Sequence, residues 1–279
     1  MRFAHRVGKG TQKLVLLLDE VQRRPARRAR PEARHLRQKL DEFFDFRAGD
    51  SFCHCRYLAH IKGKRNPPRR EAALIRIVAV CTGLARPVPG KSYKTGIFKT
   101  PTDAAVVVDR EGLLGDAICN RKHHGGPEQA VYALGSVDLD WWTKEFGRTI
   151  EPGTFGENLV IEGIDSRSVS VGDRFEFETE SVLLEVTSTR IPCATLSARM
   201  GDPGFAKRFM QAGRPGFYCR VLRDGVIRTG DAVTYTPFDG TPVTMPELLR
   251  TYGKNLSEED RNRYLAAPIN DKLRAALTG

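Results

Sequence analysis

The chain has 279 residues and a formal net charge of +11 at pH 7, and this size allows one large domain or two modest ones. It has no apolar run of the roughly 18 residues that a membrane span needs, and six cysteines in so long a chain do not form a disulfide framework. We therefore expect a cytoplasmic protein with reduced thiols.

The positive charge is concentrated near the N-terminus. Residues 1–74 hold 19 Lys and Arg against 8 Asp and Glu, whereas residues 75–279 hold 26 of each. Residues 1–72 show little hydrophobic period and are predicted to be a basic, disordered extension. Three interpretations of this extension compete: a nucleic-acid-binding arm, a targeting segment, and translated upstream sequence that is foreign to the native protein. We favour the last. The neutral body argues against nucleic acid as a partner.

Short β-type runs separated by turns begin at Leu74. Strands are predicted at residues 74–80, 104–108, 158–162, 174–178, 182–187, 217–222 and 232–236. Asp224-Gly225 lies between two apolar runs and is typical of a hairpin turn. Many short strands with few helices between them favour a barrel or a sandwich over alternating βαβ units.

Helices are fewer and cluster towards the C-terminus. The main one is predicted at residues 130–146, with Gly147 as its C-terminal cap. Shorter helices are predicted at residues 195–200, 205–211, 245–251, 257–265 and 269–277. We accordingly divide the body into a β domain at residues 73–237 and a short helical tail at residues 238–279.

Cys193 is the residue most indicative of chemistry. It follows a predicted strand in the run Thr189-Arg190-Ile191-Pro192-Cys193. A thiolate can bind a transition metal or attack an electrophile, and a neighbouring arginine favours the ionised form that both roles require. The preceding proline restricts the backbone and so fixes the direction of the sulfur. On local sequence alone, a buried structural cysteine is the alternative.

Two glycine-containing loops carry further polar groups. His123-His124-Gly125-Gly126-Pro127 precedes the main predicted helix, and Gly153-Thr154-Phe155-Gly156-Glu157-Asn158-Leu159 precedes a strand. The glycines allow a ligand to approach closely, a histidine can donate, accept or bind a metal, and Glu157 and Asn158 can orient a polar heterocycle. A loop histidine bonded to a carbonyl and a simple turn cap are the alternatives. Neither loop has the Gly-Lys-Ser/Thr of a phosphate-binding P-loop.

These motifs form an ordered set with Gly115-Asp116, Gly172-Asp173, Gly216-Phe217-Tyr218 and Gly230-Asp231. Over about residues 75–237 the set resembles the MOSC domain family (molybdenum cofactor sulfurase C-terminal domain), in its bacterial YiiM-like branch. The resemblance implies a mainly β fold, a MOSC-type β-barrel with a few peripheral helices and a short C-terminal helical appendage. It also implies binding of the molybdenum cofactor, a pterin dithiolene that carries the metal.

The resemblance implies a set of site residues as well. A cysteine in the matching Pro-Cys position ligates molybdenum in this family, which assigns that role to Cys193, and His124 joins it as a catalytic candidate. The implied cofactor contacts are Arg190, Glu157, Asn158, Lys94, Lys99 and Arg121. The last three are candidates for contact with the cofactor's phosphate, and for them a solvated basic side chain is the alternative.

The implied activity is that of a molybdenum-dependent oxidoreductase. It would reduce small N-hydroxylated compounds, such as hydroxylaminopurines or amidoximes, with electrons from a separate flavin or iron–sulfur reductase. The alternative is a sulfur carrier or cofactor-handling protein in which Cys193 bears a persulfide. The sequence leaves the oligomeric state open.

Overall fold

The computed structural model describes residues 73–88, 91–120, 124–178 and 182–279. The predicted extension, residues 1–72, and the candidate cofactor contact Arg121 lie outside these ranges, as does His123. What the sequence predicts for them stays a prediction.

Thirteen strands, most of them short, lie between residues 73 and 236 of the described chain. They are β1 (Ala73–Thr82), β2 (Arg86–Pro87), β3 (Lys94–Thr95), β4 (Thr100–Pro101), β5 (Val106–Asp109), β6 (Gly112–Leu113), β7 (Val131–Gly135), β8 (Leu159–Ile161), β9 (Arg174–Phe177), β10 (Val182–Thr189), β11 (Phe217–Arg223), β12 (Gly225–Ile227) and β13 (Ala232–Thr236).

Seven of the described strands close into a barrel. Their order is β13, β9, β10, β11, β7, β8 and β1, after which β1 pairs again with β13. Strand β1 closes the ring because residues 73–76 pair with β13, whereas residues 77–80 pair with β8. Neighbouring strands are antiparallel except for β7 and β8. The predicted β-barrel is therefore confirmed.

The barrel interior is apolar because side chains alternate along its strands. In β9, Phe175 and Phe177 are buried and alternate with the exposed Arg174 and Glu176. Phe175 stacks on Phe217 of β11 across the interior, with ring centroids 5.2 Å apart. Burial of such side chains stabilises the fold by about 1.5–3 kcal/mol each.

Helices lie around the barrel and in the tail. They are α1 (Ser136–Phe146), α2 (Ala194–Met200), α3 (Phe205–Ala212), α4 (Met245–Thr251), α5 (Glu258–Ala266) and α6 (Asp271–Thr278). Helix α1 ends at the predicted cap, because Gly147 adopts a left-handed conformation and its N–H bonds to a carbonyl of the last turn. Among the described helices, none is long and apolar enough to cross a membrane.

A second apolar cluster packs α1 and α3 together. Its centre is Trp142 of α1, whose ring centroid lies 5.4 Å from those of Phe155 and Phe205 and 5.9 Å from that of Phe209. Phe155 belongs to the glycine-containing loop that precedes β8, and Phe205 and Phe209 belong to α3. The cluster therefore anchors that loop, whose backbone contacts Arg190.

The predicted helix at residues 130–146 is correct only from Ser136 onward. Residues 131–135 form strand β7, and all five are buried. A strand covered on both faces shows no alternation between apolar and polar residues, so its pattern cannot be told from that of a buried helix. The predicted hairpin at Asp224-Gly225 is also wrong, because β12 pairs with β5 and not with β11.

The C-terminal segment contains the three predicted helices. Helix α5 begins after Ser257, whose hydroxyl accepts the N–H of Asp260 at 3.1 Å and so caps the helix N-terminus. Met245, Tyr264 and Ile269 belong to the same buried cluster as the barrel interior. Part of the apolar surface of this segment is thus covered by the barrel itself.

Candidate functional site

Cys193 lies where the chain leaves the barrel. Strand β10 ends at Thr189, and four residues later Cys193 occupies the N-cap position of α2. Its carbonyl accepts the N–H groups of Leu196 and Ser197 at 3.0 and 3.2 Å, which fixes its backbone. The side chain is half-buried, so the sulfur is held in place and still accessible.

The surroundings of Cys193 favour the thiolate. Burial raises the pKa of the thiol, but this effect is outweighed by a hydrogen bond from the His124 side chain, by the N–H of Leu196 and by the positive charge of Arg190. The net result is a pKa lowered to about 6. The sulfur is therefore mostly ionised at neutral pH, the form that binds metals and reacts with electrophiles.

Arg190 forms the buried, positively charged base of the site. Its Nη1 donates to the Phe155 carbonyl at 2.5 Å, and its guanidinium lies 4.7 Å from the centre of the Tyr132 ring. Tyr132 is fixed in turn, because its hydroxyl donates to the carbonyl of Pro215 at 2.9 Å. Within the described residues, Arg190 has no ion pair and its buried Nε has no hydrogen-bond partner. An anionic sulfur beside it therefore meets an incompletely compensated positive charge.

Two tyrosines that the sequence analysis did not select also line this region. The rings of Tyr132 and Tyr218 lie 5.0 Å apart, and both side chains are buried. Burial raises the pKa of Tyr218, an effect that the charge of Arg190 opposes. In the sequence, Tyr218 belongs to the Gly216-Phe217-Tyr218 motif without an assigned role, and Tyr132 stands in an apolar run, where an aromatic residue is typical of the core.

Glu157 holds its own loop together. Its carboxylate accepts the N–H of Gly153 at 2.6 Å and that of Phe155 at 3.0 Å, and the side chain is fully buried. Burial raises its pKa although these hydrogen bonds act in the opposite direction. Gly153 has a φ of +86°, and a Cβ there would lie 2.6 Å from the carbonyl oxygen of Lys99. These contacts make Glu157 a positioning residue for the loop, and direct contact with a cofactor stays a prediction.

Asn158 and Lys99 belong to a buried polar network beside that loop. Asn158 Nδ2 donates to Asp116 at 3.0 Å and to the Cys81 carbonyl at 3.3 Å, and its Oδ1 accepts the N–H of Tyr132 at 3.3 Å. Lys99 is buried and forms an ion pair with the same Asp116. Burial lowers the pKa of Lys99, while Asp116 opposes this shift. The Lys99 ammonium is thus engaged in the interior, and its predicted phosphate contact has no support from this geometry.

The remaining basic candidates differ in exposure. Lys94 is exposed on β3, where its charge acts on the exposed thiol of Cys119. Arg199 of α2, which the sequence analysis did not select, is half-buried, and its guanidinium lies 4.9 Å from the centre of the Phe98 ring. Its buried Nε has no hydrogen-bond partner among the described residues. Arg199 could be recognised as a candidate site residue only from the fold, which brings its guanidinium against the Phe98 ring.

The donor set determines which metal group the site fits. Within the described ranges, there is no cluster of three or more His, Cys, Asp or Glu residues that could hold a metal ion. Cys193 therefore offers one soft thiolate, with His124 hydrogen-bonded to it. This arrangement fits a metal that brings most of its ligands with it, as a dithiolene-bound molybdenum does, and it does not fit a metal held by protein ligands alone.

Comparison with known proteins identifies the barrel. Residues 120–234 match the family profile of the MOSC domain. The chain contains a MOSC domain. The matched residues include Cys193, His124 and Arg190, and they also include the loop of Glu157 and Asn158. The candidates Lys94 and Lys99 precede the matched segment.

Curated relatives match about half of this MOSC protein. The uncharacterised protein YflK of Bacillus subtilis (strain 168) is 33% identical over 141 residues, which cover 50% of this chain and 63% of YflK. A protein named "Reductase" from Gibberella moniliformis is 34% identical over 150 residues, covering 52% of this chain and 26% of that protein. YiiM of Escherichia coli (strain K12) is 28% identical over 153 residues, covering 54% of this chain and 67% of YiiM. The match thus spans less than two thirds of the first two relatives.

Solved structures agree with the barrel assignment. YiiM from Geobacillus stearothermophilus superposes with a TM-score of 0.60 at 24% identity, covering 73% of this chain and 97% of that one. YiiM from Escherichia coli gives a TM-score of 0.56 at 20% identity, covering 73% and 90%. At these identities the likeness establishes a shared fold and nothing further.

Proposed function

We propose that this MOSC protein binds the molybdenum cofactor through Cys193 and reduces small N-hydroxylated compounds. The observation that carries the proposal is the state of Cys193, a half-buried thiolate with a pKa of about 6 beside a buried arginine, with no cluster of three or more metal-binding side chains around it among the described residues. A relative of matching sequence bears the name of a reductase, which supports a redox role.

The proposed reaction consumes two electrons and two protons. The N–O bond of the substrate breaks, nitrogen keeps a hydrogen in place of the hydroxyl group, and the oxygen leaves as water. When bound, the molybdenum cofactor supplies the metal centre that exchanges electrons and accepts oxygen. The electrons come from a separate protein, which we assign to the flavin or iron–sulfur reductases.

The side chains around the sulfur have distinct roles in this proposal. Cys193 Sγ is the protein ligand of the metal, and Arg190 stabilises its negative charge from the buried side. His124 directs its side chain at the same sulfur, and we assign to its ring N–H the delivery of one proton to the departing hydroxyl group. Tyr132 holds the Arg190 guanidinium in place through the stacked contact of 4.7 Å.

The test compares wild type with two cysteine variants. Each protein is produced in a host that makes the molybdenum cofactor and is assayed with benzamidoxime and 6-hydroxylaminopurine, with reduced methyl viologen as the electron donor. We expect turnover by wild type and by Cys119→Ser, whose exposed thiol lies outside the proposed ligand set, and loss of turnover in Cys193→Ser. A molybdenum-loaded wild type that reduces neither substrate would overturn the reductase proposal.

The accessible thiolate also suits a second function, transfer of sulfur as a Cys193 persulfide. This alternative predicts a labile extra sulfur on Cys193 by mass spectrometry, in protein that carries no molybdenum and does not reduce the test substrates. A persulfide on Cys119 in place of Cys193 would count against it.

A further inference from the structure

A hairpin beside the candidate site carries unbalanced positive charge. Strands β2 and β3 pair with each other, Arg86 and Lys94 are exposed on them, and Lys91 is exposed on the segment that precedes β3. Residues 83–102 contain no Asp or Glu. Among the described residues, none of the three cations takes part in an ion pair. We call residues 84–88 and 91–95 the basic hairpin.

The basic hairpin contacts the helix that begins at the candidate metal ligand. The Tyr93 hydroxyl lies 3.0 Å from Thr195 Oγ1, two residues beyond Cys193. Arg86 is close enough to Arg199 of the same helix for its charge to lower the pKa of that guanidinium, in addition to the larger effect of burial. A protein bound to the hairpin would therefore stand next to the helix that carries the site.

Apolar side chains are exposed among these charges. Leu84 is 57% and Tyr93 is 42% exposed. Leu114, 41% exposed, belongs to a loop that is joined to the start of the hairpin, because the N–H of Ala117 donates to the Gly83 carbonyl at 2.8 Å. Apolar contacts within a charged surface are typical of protein–protein interfaces, whereas surfaces that bind only phosphates do not require them.

We propose that the basic hairpin is the docking surface for an acidic electron-donor protein, a small flavin or iron–sulfur protein with carboxylates around its redox centre. The inference rests on the proposed function, because that reaction needs two electrons from outside the chain. Carboxylates of the partner would offset three like charges that have no counter-ion pair in the described chain. Charge complementarity of this kind increases the association rate and makes binding sensitive to salt.

The test uses the full chain and two charge-reversal variants of equal net charge. One carries Arg86→Glu and Lys91→Glu in the basic hairpin. Lys94 is left unchanged, because it is also a predicted phosphate contact. The matched control carries Arg250→Glu and Lys254→Glu, two exposed cations of the helical tail.

Binding is measured by calorimetry with two probes, an acidic flavodoxin and an acidic [2Fe–2S] ferredoxin. We expect wild type and the tail variant to bind at least one of them at an ionic strength of about 0.02 M and to lose most of that affinity at about 0.5 M. The hairpin variant should bind about tenfold more weakly or worse at low salt.

Three results would overturn the docking proposal. They are absence of salt-sensitive binding to either probe, equal weakening in the two variants, and a hairpin-dependent affinity for duplex DNA or anionic vesicles without affinity for the acidic proteins. Substrate reduction driven by methyl viologen separates this proposal from the proposed function. If wild type lacks that activity, the proposed function fails. If only docking fails, wild type, the hairpin variant and the tail variant all keep the activity with methyl viologen.

Discussion

Replacement of His124 by alanine should return Cys193 towards an ordinary thiol. Among the groups that lower the pKa of Cys193, the hydrogen bond from His124 has the largest effect. With a pKa of about 6, about 90% of the thiol is ionised at neutral pH, compared with about 1% at the ordinary value of 9.0. Loss of this hydrogen bond should raise the pKa of Cys193 by about one unit or more. The Leu196 N–H and Arg190 still act on the sulfur in the variant and limit the rise.

The rate of alkylation should follow the ionised fraction only in part. A thiolate of lower pKa is intrinsically a weaker nucleophile, with a Brønsted coefficient of about 0.4–0.5. For a pKa of about 6, the gain in rate over an ordinary thiol at neutral pH is therefore about 3- to 6-fold and not the roughly 90-fold of the ionised fractions. The midpoint of the pH profile is for this reason a better readout than the rate at one pH.

The assay is iodoacetamide labelling of cofactor-free protein across a pH series, followed by peptide mass spectrometry. Cys119 serves as an exposed control in the same molecule, because burial and the charge of Asp116 raise its pKa. Cys81, fully buried and with a pKa raised to about 12, should stay unlabelled. A wild-type midpoint for Cys193 above about 8, or the same midpoint in wild type and the His124 variant, would refute the reasoning.

Three further substitutions test the supports of the site, each by urea unfolding. Arg190→Lys should lower the free energy of unfolding by about 1–3 kcal/mol, because lysine cannot keep both the contact with the Tyr132 ring and the hydrogen bond to the Phe155 carbonyl. An unchanged stability would contradict this. Gly153→Ala should lower the free energy of unfolding by about 2 kcal/mol or more, because a Cβ there is crowded. Gly147→Ala is the control, a left-handed position with open space around it, and should lower it by only about 1 kcal/mol. Equal losses would show that crowding at Gly153 is unimportant. Asp116→Asn should cost about 3–5 kcal/mol, because Lys99 stays buried without its partner. Burial lowers the pKa of Lys99, so the unfolded state binds more protons than the folded state below pH 10.5. The loss of unfolding free energy in the Asp116 variant should therefore become smaller as the pH rises towards 10.5.

The sequence predicts those parts of the fold whose pattern is local. Strand β9 follows from the alternation of buried Phe175 and Phe177 with charged neighbours, and α1 ends at the predicted Gly147. Strand β7 is buried on both faces, and this removes the alternation that would have identified it. The partner of β12 depends on a pairing with the distant β5, which no local turn signal encodes.

The candidate site is predictable to a similar extent. Cys193 and His124 stand in recognisable motifs, and the structure places them in hydrogen-bonding contact although 69 positions separate them. Tyr132 and Arg199 acquire their surroundings only through contacts between segments distant in sequence, so neither could be selected in advance. Lys99 illustrates the opposite case, because the sequence does not distinguish an interior lysine paired with a carboxylate from a solvated one. Its contact with the cofactor stays a prediction.

The metal content of purified protein tests the central proposal, that Cys193 is the ligand of a bound molybdenum cofactor. Wild type, Cys193→Ser and Cys119→Ser are produced in a host that makes the cofactor, and molybdenum and pterin are measured per polypeptide. We predict that wild type and Cys119→Ser carry both, and that Cys193→Ser, folded by circular dichroism, has lost the molybdenum. Equal molybdenum in the two serine variants, or none in wild type, would contradict the account.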